Sequence, residues 1–120
     1  MEKAETVRSL KIFVSSTDKY KNLSLYEVIV YAAKEHGLTG ATVLRDIMCF
    51  GSSSRVHSQK LLEINDKIPI IIEFIESREK NEGFVEHIKS YIEESEKECL
   101  ITIQEATIAL LKRGEKRQLI

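Results

Sequence analysis

The chain has 120 residues, of which 42% are hydrophobic and 31% charged, and its formal net charge is −1. This length and composition indicate one soluble globular domain over residues 1–120 and argue against a disordered or membrane-spanning chain. A net charge this close to zero argues against a nucleic-acid partner, because non-specific binding to nucleic acid requires an excess of Lys and Arg.

The first half of the chain begins with a strand and continues into a helix. Residues 10–14 alternate as a first strand, and a polar loop follows over residues 15–23. Ser24, with Glu27 three residues later, forms a capping-box pattern in which each side chain reaches the other residue's backbone N–H. The helix then ends at Gly37. Its apolar face comprises Leu25, Val28, Ile29, Ala32, Ala33 and His36.

The second half predicts two more strands, a helix and a final strand. Residues 41–50 and 68–75 are strands, and the polar segment between them, residues 51–66, is long enough to indicate a functional or mobile loop. Residues 78–94 form the second helix, and residues 99–111 a last strand that bends near residues 104–106. The order β-α-β-β-α-β is the ferredoxin-like pattern, an α+β fold with a four-stranded antiparallel sheet and both helices on one face. The face of the second helix comprises Phe84, Val85, Ile88, Tyr91 and Ile92.

The third strand is apolar on both of its faces. Two helices cover only one face of such a sheet, and the other face of a soluble domain is normally polar. An apolar second face requires a partner, and a closed homo-oligomer is the usual solution. One face carries Ile68, Ile70, Ile72 and Phe74, and the other carries Ile71 and Ile75.

The segment from Phe50 to His57 is the first candidate binding site. Gly51 is followed by three serines, whose backbone N–H groups and hydroxyls can surround an anion. His57 adds a donor whose charge changes near neutral pH. A solvated polar loop is the alternative interpretation. Three cations lie nearby in the sequence and suit a phosphate or carboxylate: Arg45, Arg55 and Lys60.

Two other polar segments are weaker candidates. The basic residues 112–117 can donate cations to an anionic ligand, although a solvated tail over residues 112–120 explains them as well. Residues 15–20, which include Ser15, Asp18 and Tyr20, follow the first strand at one end of the sheet. Turn formation explains that segment almost equally well.

Patterns typical of catalysis are weak. No nucleophile stands at a suggestive spacing from His57 or His87, and no pair of carboxylates stands out, so we expect no enzymatic activity. We expect His36 to pack in the core or cap the first helix. Glu73 is a lone charge in an apolar strand, and we expect it to find a partner across a subunit interface.

The cysteines and the N-terminus bear on the compartment. Cys49 and Cys99 are too few for a disulfide framework and lack the neighbours of a structural zinc site, so we interpret both as reduced thiols. The N-terminal residues have no apolar region of the kind found in secretory signals. The longest apolar stretch, residues 68–72, is too short to span a bilayer. These features predict a cytoplasmic protein.

Residues 37–51 resemble the strand-two pattern of the PII signal-transduction proteins. The pattern Gly-x-x-Gly-x-Thr-Val corresponds to residues 37–43 and leads to Phe50 and Gly51 after a slightly longer run than is usual. Ile68-Pro69 opening an apolar strand with Glu73, and the basic ending at residues 111–115, are also similar to PII domains. Residues 18–19, 25–27, 40–45 and 50–51 with Ser54 and His57 resemble one branch more closely. That branch is a domain-of-unknown-function family of the GlnB-like superfamily.

The resemblance implies a homotrimer with ligand clefts between neighbouring subunits. PII relatives bind adenine nucleotides in these clefts and use a mobile T-loop, here about residues 51–67, to engage transporters or enzymes. For this chain the resemblance implies an adenine nucleotide such as AMP or ADP, no other cofactor, and an unidentified protein partner that includes a membrane transporter among the possibilities. The expected ligand-binding residues are Thr39, Gly40, Thr42, Arg45, Phe50, Gly51, Ser54, Arg55, His57 and Arg113.

The chain departs from the PII pattern in three places. Residues 93–99 are acidic and contain no glycine, where PII proteins have a glycine-rich phosphate loop, so ATP is disfavoured relative to a smaller anion. Asp46 and Cys49 replace glycines of the closer branch, and the loop contains no tyrosine for covalent modification. Two alternatives remain open. One is a metal-responsive trimer with Cys49 and His57 as ligands, and the other is a scaffold for a membrane transporter that binds no small ligand.

Overall fold

A computed structural model of the chain describes residues 5–45, 48–50, 56–58, 69–112 and 114. The elements in chain order are β1 (Glu5–Ser15), β2 (Lys19–Tyr20), β3 (Leu23–Ser24), α1 (Leu25–His36), β4 (Thr42–Arg45), β5 (Met48–Phe50), β6 (Val56–Ser58), β7 (Pro69–Glu76), α2 (Arg78–Ser95) and β8 (Leu100–Ile108). Neither of the two helices in this part of the chain is long and apolar enough to cross a membrane.

The main sheet has four antiparallel strands in the order β4-β7-β1-β8. The two central strands, β1 and β7, are non-consecutive in the sequence, which is the strand order of the ferredoxin-like fold. The predicted fold class is therefore confirmed. Pairing of β8 with β1 runs without a register break from Leu100 to Ile108, including the region where the sequence predicts a bend.

Helix α1 begins at the predicted residue for a different reason. Ser24 has the extended backbone of an N-cap residue, but its side chain makes no capping hydrogen bond, so the predicted capping box is wrong. Ser24 instead pairs with Lys19 in a short hairpin inside the predicted loop. The carbonyl of Asp18 then accepts the N–H of Leu25 at 2.8 Å, which satisfies one of the free donors at the helix start.

The ends of both helices match the sequence to within one residue. Gly37 closes α1 with φ of 94°, and Leu38 donates its N–H to the carbonyl of Ala33, so the chain leaves the helix through a Schellman turn. Ser77 caps α2 through its side chain, which accepts the N–H of Lys80 at 3.2 Å. These caps explain why both helix boundaries are readable from local sequence.

The core lies between the two helices and one face of the sheet. The predicted inward face of β7 is confirmed over Ile70, Ile72 and Phe74, and Leu10, Ile12 and Val14 of β1 meet it. His36 of the predicted helix face is exposed and lies outside the core. The helices supply Leu25, Ile29, Ala32, Ala33, Phe84 and Ile88.

The predicted second strand is divided in two. Thr42–Arg45 forms the edge strand β4 of the main sheet, whereas Met48–Phe50 forms β5, which pairs with β6 in a separate two-stranded hairpin. The predicted polar segment therefore includes a short strand at Val56–Ser58. A single continuous strand over residues 41–50 is wrong because its two halves belong to different sheets.

Candidate functional site

A buried carboxylate holds the loop that leads from α1 to β4. Glu76, at the end of β7, is buried, and its Oε2 atom accepts two hydrogen bonds from Thr39. The backbone N–H of Thr39 donates at 2.7 Å and its hydroxyl donates at 2.6 Å. Lys80 Nζ lies 3.9 Å from the other carboxylate oxygen. We name these contacts the Glu76 clamp. Because hydrogen bonds to an ionised acceptor are strong, the clamp fixes where β4 begins.

The clamp leads directly into an accessible strand. All four residues of β4 are exposed, and the strand is an edge of the main sheet. An edge strand presents backbone N–H and C=O groups along its free side. At Gly40, an added Cβ would meet no atom of the described residues within 4 Å. Gly40, Thr42 and Arg45 therefore lie along an edge at which a ligand or a neighbouring chain has access to the backbone.

Directly opposed residues of neighbouring strands lie on the same face of the sheet. On the face away from the helices they form two rows, one apolar and one polar. One row is apolar and crosses all four strands as Leu44, Ile71, Phe13 and Leu100. The next row is polar and crosses them as Thr42, Glu73, Lys11 and Thr102. We name this surface the open face. Leu44, Leu100 and Ile75 have 48, 55 and 48% of their surface exposed, which confirms that the second face is apolar and uncovered by the helices.

Glu73, in the polar row, has a partner within its own chain. The hydroxyl of Ser9 donates to Glu73 Oε2 at 2.8 Å, and Ser9 is buried although it points away from the helices. The expectation that Glu73 depends on a subunit interface for a partner is therefore wrong. On its other side, Glu73 is directly opposite Thr42 of the edge strand.

Several predicted site residues lie outside the described residues. These are Gly51, Ser54, Arg55 and Arg113, together with Lys60 and Asp46. Phe50 and His57 lie on β5 and β6, and the register of that hairpin pairs Phe50 with Val56 and Cys49 with His57. Among the predicted residues, the structure thus groups Thr39, Gly40, Thr42 and Arg45 on one loop and strand, and it brings Cys49 opposite His57.

The acidic segment lies at the opposite edge of the same sheet. Glu93 and Glu94 are exposed in the last turn of α2, and Glu96 and Glu98 are exposed between α2 and β8. Glu96 closes α2 in the left-handed conformation with φ of 55°. β8 and β4 are separated by two strands, which corresponds to about 14 Å at the usual strand spacing. Within one subunit, the acidic segment and β4 are on different edges. They meet only if a neighbouring chain brings its β8 edge to β4.

Residues 15–18 form a turn between β1 and β2. Asp18 is buried, and its carboxylate accepts the N–H of Ser15 at 2.9 Å while its own N–H donates to the Ser15 carbonyl. Tyr20 packs edge-on against Tyr91 of α2, with ring centroids 4.9 Å apart. The structure therefore favours the turn-forming interpretation of this segment over a binding site.

Sequence reasoning missed two buried polar residues beside the candidate site. Glu76 reads as the polar end of a strand, and Asn81 as an exposed helix position, yet Asn81 is completely buried. Its Nδ2 donates to the carbonyls of Arg8 at 3.0 Å and Glu76 at 3.5 Å. The Oδ1 of Asn81 has no hydrogen-bond partner among the described residues. The only local sequence signal of the burial of Asn81 is that a polar residue stands in the first turn of α2 at a position that faces the sheet.

The thiol of Cys99 is poorly suited to chemistry. Burial raises its pKa from the ordinary 9.0 to about 11, and the nearby charge of Asp18 adds to the rise. The thiolate needed for nucleophilic attack or metal binding is therefore scarce at neutral pH. In the described part of the chain, no three His, Cys, Asp or Glu side chains are grouped so that they could hold a metal ion together.

Comparison with known sequences identifies the family. Residues 7–108 match the DUF190 family model, which is described as an uncharacterised ACR. A UPF0166 protein of Aquifex aeolicus (strain VF5) is 31% identical over 102 residues, which cover 85% of this chain and 92% of that protein.

Comparison with solved structures identifies the fold. CPII, a nitrogen regulatory PII-like protein from Thiomonas intermedia K12 solved with ADP, AMP and bicarbonate, superposes with a TM-score of 0.68 at 16% identity, covering 90% of this chain and 92% of CPII. A Thermus thermophilus protein, described as a PII-like signalling protein, gives a TM-score of 0.65 at 16% identity, with 90% and 94% of the two chains covered. The chain belongs to the DUF190 family and has the ferredoxin-like fold of PII-like proteins.

Proposed function

We propose that the chain is a non-enzymatic PII-like regulator of the cytoplasm that forms a homotrimer. It binds a small anionic ligand, an adenine nucleotide such as AMP or ADP, in the clefts between subunits. The segment of residues 51–67 then transmits the bound state to a protein partner. The fold shared with CPII, which was solved with ADP and AMP, supports the choice of nucleotide.

The observation that carries the proposal is the exposed edge strand β4 and its fixed start. Thr42 and Arg45 are exposed on this strand, and the Glu76 clamp holds the loop before it. A nucleobase is a planar group with donors and acceptors at its rim, and it can pair with the free backbone groups of an edge strand. Thr42 adds a hydroxyl at this edge, and Glu73, its partner in the strand register, adds a charged acceptor.

The open face supports the proposed cleft between subunits. The apolar row of Leu44, Ile71, Phe13 and Leu100 reaches from one edge of the sheet to the other. Covering it with the same face of neighbouring copies removes that apolar surface from water and brings other chains close to β4. The acidic residues 93–98 then approach from a neighbour, and their charge disfavours a triphosphate relative to AMP or ADP.

The phosphate of the ligand requires cations, and the proposal assigns them to Arg45, Arg55 and Arg113. A phosphate facing one Arg at 4 Å gains about 4 kcal/mol at an effective dielectric constant of about 20, before desolvation. Two or three such contacts support binding in the micromolar range, which corresponds to about −8 kcal/mol. The proposed ligand contacts also include Gly51, Ser54, His57 and Phe50, on the segment that follows β4.

Calorimetric titration of the full chain with AMP, ADP and ATP tests the ligand. We expect AMP or ADP to bind in the micromolar range and ATP to bind less tightly. Replacing Arg45, Arg55 or Arg113 by Ala is expected to weaken binding about tenfold each, the equivalent of about 1.4 kcal/mol. Arg78→Ala is the matched control, because Arg78 is exposed on α2 and paired with Glu82. Unchanged affinity in all three site variants would refute the assignment of these residues to the ligand site.

Light scattering during size-exclusion chromatography tests the trimer. We expect wild type to elute as a trimer and the double variant Leu44→Glu, Leu100→Glu to elute as a monomer, because two charges would be buried in the interface. Tyr31→Glu provides the control, since Tyr31 is 64% exposed on α1, away from the open face. A wild-type monomer, or a trimer that survives the double substitution, would contradict the proposed assembly.

A metal-responsive regulator is the second candidate, and one observation favours it. Cys49 and His57 are opposed in the β5–β6 register, and cross-strand neighbours have Cβ atoms about 5 Å apart. Thiolate and imidazole are both ligands of zinc and copper. Metal analysis of the purified protein separates the two candidates. Bound metal that is lost in Cys49→Ser would favour this second function over nucleotide sensing.

A further inference from the structure

Two histidine rings face each other across the seam between the helices. His36 is the last residue of α1 and His87 lies in the middle of α2. Their ring centroids are 5.1 Å apart and their planes differ by 29°. Both residues are exposed, so the pair lies at the protein surface. Neither residue belongs to the nucleotide site proposed above.

Neighbouring rings hold this pair in position. His36 lies against Phe84, which is completely buried, with ring centroids 5.8 Å apart. His87 meets the edge of Tyr91 at 5.9 Å, and Tyr91 in turn packs on Tyr20. Gly83 lies one turn before His87, and an added Cβ there would be 3.7 Å from His36 Nε2. That distance is an ordinary van der Waals contact, so it shows how closely the His36 ring lies against α2.

We propose that His36 and His87 form a two-ligand binding site for Zn²⁺. In a tetrahedral zinc site with Zn–N bonds of about 2.0 Å, the centroids of two imidazole ligands are about 5 Å apart. The observed separation of 5.1 Å is close to this value. The two rings are stacked with planes 29° apart, so each imidazole turns about its side-chain torsions to direct one nitrogen at the shared ion, while neither helix moves. Imidazole nitrogen is a preferred ligand of zinc, and two such ligands from different helices chelate one ion.

The chain supplies two ligands and leaves the other coordination positions to water. Glu82 and Glu86 flank the pair on α2, but each carboxylate is engaged elsewhere. Glu82 accepts from Arg78 at 2.8 Å and Glu86 pairs with Lys89 at 2.8 Å. A third protein ligand is therefore absent from the described residues around the pair. The open positions make this an accessible site rather than a closed structural one.

Binding of the ion would join the end of α1 to α2. The next residues after His36 are the Schellman turn and Thr39, so the ion would also restrain the connection to β4. Because the ion binds only the folded arrangement of the two rings, zinc is expected to raise the thermal midpoint of unfolding.

Titration of the full chain with ZnCl₂ at neutral pH, followed by calorimetry and by thermal unfolding, tests the site. The variants are His36→Asn and His87→Asn, and the matched control is Tyr31→Asn, on the exposed surface of α1. We expect each of the first two to bind zinc about tenfold or more weakly than wild type and to lose the zinc-dependent rise in midpoint. The Tyr31 variant is expected to bind zinc as wild type does.

The substituted side chains are exposed, so circular dichroism without zinc is expected to be unchanged in both site variants. Failure of wild type to bind zinc would overturn the site, and so would wild-type affinity in both His36→Asn and His87→Asn. Loss of binding in His57→Asn alone would assign the metal to the β5–β6 hairpin and would likewise overturn the helix-seam site.

Discussion

The Glu76 clamp makes a prediction that combines stability and site geometry. Thr39→Val keeps the shape of the side chain and removes its hydroxyl, which donates to a buried carboxylate at 2.6 Å. A hydrogen bond to a charged group is worth about 1.5–3 kcal/mol, so we expect the free energy of unfolding to fall by about 2 kcal/mol. In a domain of this size such a loss corresponds to a midpoint about 8 °C lower. Thr39→Ser keeps the hydroxyl and is expected to retain most of the stability.

Urea unfolding monitored by circular dichroism measures this loss. Thr107→Val, an exposed threonine on β8, serves as the matched control and is expected to change stability by less than about 0.5 kcal/mol. A double-mutant cycle with Glu76→Gln is expected to give a coupling energy of about 1 kcal/mol or more between the two side chains. Hydrogen exchange is expected to increase in residues 39–45 before it increases in β1. If Thr39→Val is as stable as Thr39→Ser, the clamp contributes no net stability and the reasoning is refuted.

Three further predictions concern other described features. In Cys49→Ser protein at pH 8, we expect the Cys99 thiol to react with a thiol reagent about 100-fold more slowly in the folded than in the unfolded chain, because folding raises its pKa from 9.0 to about 11. Equal reaction rates in the two states would contradict this. Glu96→Gly is expected to stabilise the protein by about 1 kcal/mol and Gly37→Ala to destabilise it by at least as much, because both positions have positive φ; urea midpoints that move in the same direction would argue against it. Asn81→Ala is expected to lower the free energy of unfolding in urea by about 2–3 kcal/mol, since it leaves two carbonyl acceptors without their donor. A decrease below about 0.5 kcal/mol would show that these hydrogen bonds contribute no net stability.

The two helices and the four strands of the main sheet, in their order along the chain, were readable from the sequence because their signals are local. Gly37 ends α1 and Ser77 begins α2 through contacts with residues at most five positions away. The alternation along β7 likewise separates its buried face from Ile71 and Ile75. The capping box at Ser24 failed because the Ser24 side chain makes no capping hydrogen bond. The helix start is held instead at Leu25, whose N–H donates to the carbonyl of Asp18 in the preceding turn.

The candidate site was only partly predictable. Thr39, Gly40, Thr42 and Arg45 stand on one continuous segment, so sequence alone could group them. The carboxylate that fixes this segment, Glu76, is 37 residues from Thr39. The hydroxyl that binds Glu73 is 64 residues away in the chain. No periodicity links such positions, because strand order in the sheet determines which residues meet.

The sequence by itself therefore determined the order of the two helices and the four main-sheet strands along the chain, the inward faces and the presence of an apolar second face, since each depends on spacing within one strand or helix. The tertiary structure alone decided which polar groups are paired across elements. It buried Asn81 beneath the first turn of α2, divided residues 41–50 between two sheets, and stacked His36 on His87 across the helix seam. The physical reason is that burial and pairing depend on contacts between segments distant in sequence, and the free energy of those contacts is set by packing rather than by local pattern.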